Sequence, residues 1–243
     1  MTRETIMRIK VIEPVTPATP WNKMIKETYE AYKDPDTEID IVNPEKGPES
    51  IEQIYDETWA GLPTLLEAEK AEKEGYDAVI DYCFEDPALP SLKEALTIPV
   101  VGIDEPSVHL ASMLGRKFSV VGVGGKNTAL AVEDKVASYG LGGKLASVRL
   151  TDVRVLDIMK EFDRLADELM EKGSKAIEED GADVIVLGCG GLLNIAEILQ
   201  EKLNVPVIDP GLVALKIAED LVKLKLAQSK KAYPKPYEKK RTS

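Results

Sequence analysis

The chain has 243 residues, 44% of them hydrophobic, and a formal net charge of −12. That length holds one large domain or two small α/β lobes, and the acidic balance counts against nucleic acid and anionic membrane surfaces as partners. No apolar run approaches the length of a membrane span, and Met1-Thr-Arg-Glu-Thr has no signal-peptide layout, so a soluble, cytoplasmic protein is expected.

In chain order, the pattern predicts a strand at Met7–Ile12, a helix at Asn22–Lys33, a strand at Glu38–Val42, a helix at Ile51–Glu74, a strand at Ala78–Tyr82, a helix at Pro87–Ala95 and a strand at Val100–Ile103. A helix at Glu105–Leu114 then joins a second series. Its strands are Lys117–Val123, Leu145–Leu150, Val184–Leu187 and Val207–Asp209, and its helices are Thr128–Tyr139, Val155–Asp180 and Leu192–Leu203. The order repeats over about one hundred residues, too long a period for a solenoid. The fold class is therefore α/β, with two pseudo-symmetric lobes, each a four-stranded parallel sheet flanked by helices. Residues 1–110 form the first lobe and 111–211 the second, with 212–243 packing back on the first through a helix at Val213–Leu226. The tail Ala227–Ser243, rich in Lys, reads as a solvated extension that a partner subunit could order. Lys and Glu are abundant while Gln, Asn and His are scarce, a composition that leans toward a thermophile.

The two cysteines occupy matching places in the repeat. Gly75-Tyr-Asp-Ala-Val-Ile-Asp-Tyr-Cys83 and Gly181-Ala-Asp-Val-Ile-Val-Leu-Gly-Cys189 each run from a glycine through a buried strand to a thiol. A disulfide is not expected in a large cytosolic α/β chain. Free Cys often packs as a small inert hydrophobe, and either cysteine alone invites that reading. Placed symmetrically at strand C-termini, however, the two can face one cleft and act as opposed acid and base. A turn into a helix follows each cysteine, and its free N–H groups favour an anion or a thiolate, so lowered thiol pKa values are expected. Ligands bind outside strand C-termini in such sheets. The loops Glu13-Pro14-Val15-Thr16-Pro17 and Asn43-Pro44-Glu45-Lys46-Gly47-Pro48 lie on that edge, as does Gly124 after the first strand of the second lobe; Glu13, Thr16, Pro48 and Gly124 are candidate substrate contacts. Glu49 or Ser50 can cap the following helix, and Asp86-Pro87 reads as a helix start.

Other chemistries lack their residues. Val121-Gly-Val-Gly-Gly-Lys126 completes neither a P-loop nor a dinucleotide fingerprint. With His109 as the one histidine, no metal site and no Ser-His-Asp enzyme is indicated, and no Gly-x-Ser-x-Gly elbow is present.

Gly47-Pro48-Glu49-Ser50-Ile51-Glu52 resembles the Gly-Pro-x-Ser-Ile-Glu signature of hydantoin and allantoin racemases. So do Cys83-Phe84-Glu85-Asp86-Pro87, Pro99-Val100-Val101-Gly102-Ile103, Gly115-Arg-Lys-Phe-Ser-Val-Val121, Leu145-Ala-Ser-Val-Arg149 and Glu178-Glu179-Asp180-Gly-Ala-Asp-Val-Ile-Val-Leu-Gly-Cys189. The similarity runs from Met7 to about Leu226. The second-cysteine motif is shared across the wider aspartate/glutamate racemase superfamily. The resemblance implies racemisation without a cofactor, with Cys83 and Cys189 as opposed proton carriers and the amides around Phe84, Gly190 and Gly191 holding a substrate carbonyl oxygen. A small-molecule substrate and a homo-oligomer are also expected. Three stretches depart from the family: Glu13-Pro14-Val15-Thr16 stands for Asn-Pro-Asn-Thr, Cys189-Gly190-Gly191-Leu192 for Cys-Ala-Gly-Met, and Ile208-Asp209-Pro210-Gly211 for Ile-Asp-Gly. The leading expectation is a 5-substituted hydantoin or a related ring ureide such as allantoin. The alternatives are an aspartate/glutamate racemase, a diacid cis–trans isomerase, a one-cysteine decarboxylase relative and a non-catalytic binding protein. Few cations, Lys46, Lys126 and Arg154, stand near the strand ends, beside the acids Glu13 and Asp104, which favours a neutral ring over an acidic amino acid.

Overall fold

The computed structural model describes residues 6–17, 20–124 and 126–241, with the side chains of 126 and 127 outside the description. Strands β1 (Met7–Ile12), β2 (Thr37–Val42), β3 (Ala78–Asp81) and β4 (Val100–Gly102) form a parallel sheet in the order β2-β1-β3-β4. Strands β5 (Phe118–Gly122), β6 (Leu145–Leu150), β7 (Val184–Leu187) and β8 (Val207–Ile208) form a second one in the equivalent order β6-β5-β7-β8. The helices are α1 (Trp21–Tyr32), α2 (Ile54–Lys73), α3 (Leu89–Ala95), α4 (Asp104–Leu114), α5 (Lys126–Ser138), α6 (Phe162–Glu178), α7 (Ala196–Leu203) and α8 (Pro210–Leu224). All residues of β3 and β7 are buried, which is why both read as apolar runs, broken only by Asp81 at the end of β3.

Helices α4 and α8 cross between the sheets. The first follows β4 yet also lies against β5 and β7, and the second follows β8 yet lies against β1, β3 and β4. One apolar core therefore runs from Ile9 and Ile80 through Ile103 and Val108 to Val120 and Val186. Asp209 caps α8 by accepting from the Gly211 and Leu212 amides at 2.9 and 3.1 Å. On its far side the buried Glu219 accepts from Thr37 Oγ1 and from the Asp34 amide, both at 2.7 Å. Tyr29 Oη donates to the Gly211 carbonyl at 2.8 Å.

Several element edges differ from the sequence expectation, each for a local reason. Helix α2 starts at Ile54, not Ile51, and its cap is not Glu49 or Ser50. Asp56 at the third helical position accepts from the Glu52 and Gln53 amides, each at 3.1 Å, which leaves Ile51 free to be buried. Helix α3 starts at Leu89 because Asp86 and Ala88 take left-handed φ values of 41° and 59°. Helix α6 starts at Phe162, and Val155–Asp157 forms a separate 3₁₀ turn. Helix α7 starts at Ala196 after a turn that follows Cys189. The tail is tied down at its start: Gln228 pairs with the Val100 backbone through bonds of 3.0 and 2.7 Å, and Lys230 Nζ donates to the Lys93 carbonyl at 2.6 Å. Among the described residues, no helix is long and apolar enough to cross a membrane.

Candidate active site

Cys83 and Cys189 stand two residues beyond the ends of β3 and β7, and both are free thiols. They line one cleft. From the first sheet, Glu13, Pro14 and Val15 after β1 and Tyr82, Phe84 and Glu85 around Cys83 complete its wall; from the second come Val123, Gly124 and Gly188 to Gly191. Residues 49–52, Trp21, Ile25, Thr128 and Val155 close the rest.

The thiols share one backbone geometry. Cys189 Sγ accepts from the Gly191 amide at 3.3 Å, and the Cys83 thiol accepts from the Glu85 amide, again two residues on. These bonds favour thiolate, as does the turn expected from the sequence. Burial outweighs them. It pushes Cys189 up to about 11, and it pushes Cys83 well above the ordinary thiol value, with Glu85 and Asp81 adding to the rise. The lowered pKa values expected from the sequence are thus reversed, because desolvation and nearby carboxyls outweigh a single amide bond.

The cleft wall carries the carboxyls Glu13, Glu49, Glu52 and Glu85, and no Lys or Arg among its described residues. Asn43 Nδ2 holds Glu13 Oε2 at 2.7 Å and also donates to the Val15 carbonyl at 3.1 Å. Burial, then repulsion from Glu57, pushes the Glu85 carboxyl up to about 7. Of the cations expected near the strand ends, Lys46 is exposed and off the cleft, Arg154 faces Glu52 at 3.5 Å from the outside, and the Lys126 side chain lies outside the described residues.

Of the candidate contacts, Glu13, Phe84, Gly124, Gly190 and Gly191 line the cleft with both cysteines. Thr16 and Pro48 do not line it. Their roles are to join two loops: the Thr16 amide donates to the Pro48 carbonyl at 2.8 Å, and Thr16 Oγ1 donates to the Pro44 carbonyl at 2.5 Å. Asp104 is also off the cleft and fully buried. Exposed His109 sits on α4 with Nδ1 2.7 Å from the Glu105 carbonyl. Asp86 turns away from the thiols and does not start the helix that follows it. It caps α4 instead, accepting from the Asp104 and Glu105 amides at 3.1 and 2.9 Å and from Tyr139 Oη at 2.8 Å. A Cβ on Gly102 would fall 2.2 Å from Asp86 Oδ1, so this cap requires glycine there.

Residues that sequence reasoning did not single out as contacts include Tyr82, Trp21, Ser50, Ile51, Glu52, Glu85, Thr128 and Val155. A signal existed for some: Ser50-Ile51-Glu52 belongs to the quoted signature, and Tyr82 precedes Cys83. Trp21 and Val155 arrive from distant elements and carried none.

The sequence model of the family described as Asp/Glu/Hydantoin racemase matches residues 9–218. The chain is 40% identical over 235 residues to a hydantoin racemase from a Pseudomonas species, covering 96% of this chain and 93% of that protein. It is 35% identical over 235 residues to a hydantoin racemase from Paenarthrobacter aurescens, covering 96% and 99%. Among solved structures, an allantoin racemase from Klebsiella pneumoniae superposes with a TM-score of 0.92 at 34% identity, covering 98% of this chain and 96% of that one.

Proposed function

The chain belongs to the Asp/Glu/hydantoin racemase family, and from that premise we propose that it is a cofactor-independent racemase of a ring ureide, a 5-substituted hydantoin or allantoin. One observation carries the reading: two thiols on pseudo-symmetric strand ends line a single cleft. In the reaction, one cysteine acts as thiolate and removes the proton from the ring stereocentre. The electron pair moves onto the neighbouring carbonyl oxygen, and the other thiol gives its proton to the opposite face. Raised thiol pKa values suit this role, since a thiolate formed in the cleft is a strong base for a weak carbon acid. The Gly191 amide already serves Cys189, so the Phe84 and Gly190 amides take the enolate oxygen.

The acidic, cation-free described wall supports a neutral ring with N–H donors over aspartate or glutamate, and Glu13, oriented by Asn43, is the acceptor for a ring N–H. The homo-oligomer expected from the sequence has support in α2, where exposed Tyr55, Trp59, Leu62 and Leu66 follow helical spacing. Polarimetry on single enantiomers of 5-substituted hydantoins, allantoin, aspartate and glutamate, with no cofactor added, tests the substrate. The expected result is loss of rotation with the ring ureides and little change with the amino acids. Robust aspartate racemisation beside inert hydantoins overturns the substrate and leaves the two-thiol mechanism standing. A Glu13→Gln variant is expected to shift preference among the rings while keeping its melting temperature.

A further inference from the structure

The wall behind Cys83 holds an arrangement that racemisation itself does not use. Glu85 lines the cleft beside Cys83 and is 8% exposed. Its carboxyl lies within hydrogen-bonding reach of that of Glu57 on α2. Glu57 faces the other way, into a second cavity also lined by Asp86, Lys93, Glu105, Lys135 and Tyr139. Lys135 Nζ, from α5 of the second lobe, fixes the junction by donating to Glu57 Oε2 at 3.2 Å and to the Glu85 carbonyl at 2.6 Å. The pair thus spans the wall between the substrate cleft and a separate cavity.

A two-base racemase needs such a path. After each turnover one thiol has lost its proton and the other has gained one. Before the same enantiomer can react again, the protonation states must reset. We infer that the Glu85–Glu57 pair is the route by which Cys83 exchanges its proton with water in the second cavity. When Cys83 has served as acid, the proton on Glu85 passes to the Cys83 thiolate, and one proton from the cavity water, relayed through the Glu57 carboxylate, replaces it on Glu85. When Cys83 has served as base, the same transfers run backwards and release one proton to that water. Neither step needs a substrate or an open cleft.

Other groups around Glu85 fit the role. Lys135 faces it from α5, Asp104 from α4, and Asp86 and Cys83 from its own loop, while Asp81 on β3 faces Cys83. Burial pushes the Asp81 and Asp104 carboxyls well up, so neither competes as a proton acceptor near neutral pH. Glu85, at about 7, can both give and take a proton there.

The inference rests on the racemase reading, and steady-state kinetics in both directions separate the two. If wild-type protein racemises no ring ureide, the reading itself falls. If the wild type is active, Glu85→Gln is expected to lower kcat roughly tenfold or more in both directions, while kcat/KM falls far less, because reset follows product release. Progress curves at high substrate should then show oversaturation, with excess starting enantiomer slowing its own conversion. Glu85→Asp, which restores a carboxyl, should recover part of kcat. Glu57→Gln serves as the second variant should Glu85→Gln fail to fold, with the same kcat-weighted defect expected. Unchanged kcat in both Gln variants, or equal losses in kcat and kcat/KM, overturns the route.

Discussion

The two cysteine loops occupy equivalent places on equivalent sheets and yet are built from opposite materials. Aligned on their thiols, Asp81 corresponds to Leu187, Tyr82 to Gly188, Phe84 to Gly190 and Glu85 to Gly191. The first loop is bulky and acidic; the second is mostly glycine. The difference is complementary. A Cβ on Gly190 would fall 2.7 Å from Tyr82 Cε1 and 3.1 Å from Ile103 Cδ1, so the large residue of one loop occupies space that the other leaves empty. Tyr82 Oη also donates to the Gly190 carbonyl at 3.1 Å. Pseudo-symmetry thus sets where the thiols stand, and asymmetry lets both loops meet over one small cleft and gives each thiol a different electrostatic environment.

The strongest break of the comparison removes the shared feature. Cys83→Ser and Cys189→Ser are each expected to lower racemisation by roughly 10²–10⁴-fold, because serine is a far weaker acid than a thiol. If the thiols are opposed bases, each variant should still exchange the substrate α-proton for deuterium in D₂O, but from one enantiomer only, and the two variants should select opposite enantiomers. Deuterium NMR on each enantiomer reads this. A variant that racemises at the wild-type rate shows that its cysteine carries no proton.

Much of this architecture was legible in the sequence, because buried parallel strands leave an unbroken apolar signature and Ala78–Ile80 and Val184–Leu187 have it. The thiols could be placed in one cleft because position along a strand fixes which sheet edge a residue reaches. What the sequence did not reveal depends on contacts between distant segments. Asp86 looked like the start of its own helix, yet it caps α4, a choice set by Gly102 and by Tyr139 on α5. Thr16 looked like a ligand contact, yet its hydroxyl is spent on the Pro44 carbonyl. The direction of the thiol shifts was missed for the same reason. A local turn favours thiolate, but burial and the acids Asp81 and Glu85 come from the assembled fold.

Exchanging material between the loops is the next test. Gly190→Ala adds a Cβ to the loop that yields space, and Tyr82, wedged in the core, has little room to retreat. The expected cost is about 1–3 kcal/mol of stability, with a loss of activity from displacing the neighbouring Cys189. Thermal melts and kinetics on the same preparation measure both. An unchanged melting temperature would mean that the two loops are not packed against each other as tightly as the glycine implies.

Acidity of the first loop alone predicts a pH effect on stability. Burial and Glu57 raise the Glu85 carboxyl from 4.5 to about 7. Between those values the folded chain holds a proton that the unfolded chain has released, so stability falls as pH rises through that window and is greatest below it. Replacing Glu85 with Gln removes this linkage without adding a charge. Urea unfolding at pH 5 and pH 7 should show the wild type losing roughly 1–3 kcal/mol more than the variant across the interval. Parallel losses in both proteins would place the titrating group elsewhere.

The smallest expected effect distinguishes the thiols themselves. Both are raised, so both should alkylate slowly with iodoacetamide near neutral pH. The Cys189 thiol, at about 11, meets burial first and then gains the Gly191 amide bond. Cys83 meets burial first as well, but repulsion from Glu85 and Asp81 comes next and ahead of its own amide bond, which disfavours its thiolate. Each unit between them is about tenfold in thiolate fraction at a fixed pH. Because the thiolate is the form that reacts, Cys189 should be labelled first at pH 8 to 9, as peptide mass mapping after short exposures would show. A cleft ligand should slow both rates together, since the thiols line one cavity. Replacing Glu85 with Gln should narrow the gap, chiefly by speeding Cys83. Labelling of Cys83 ahead of Cys189 would mean that the carboxyls behind the first loop do not set its acidity, and the electrostatic half of the contrast between the loops would fall while their packing contrast remained.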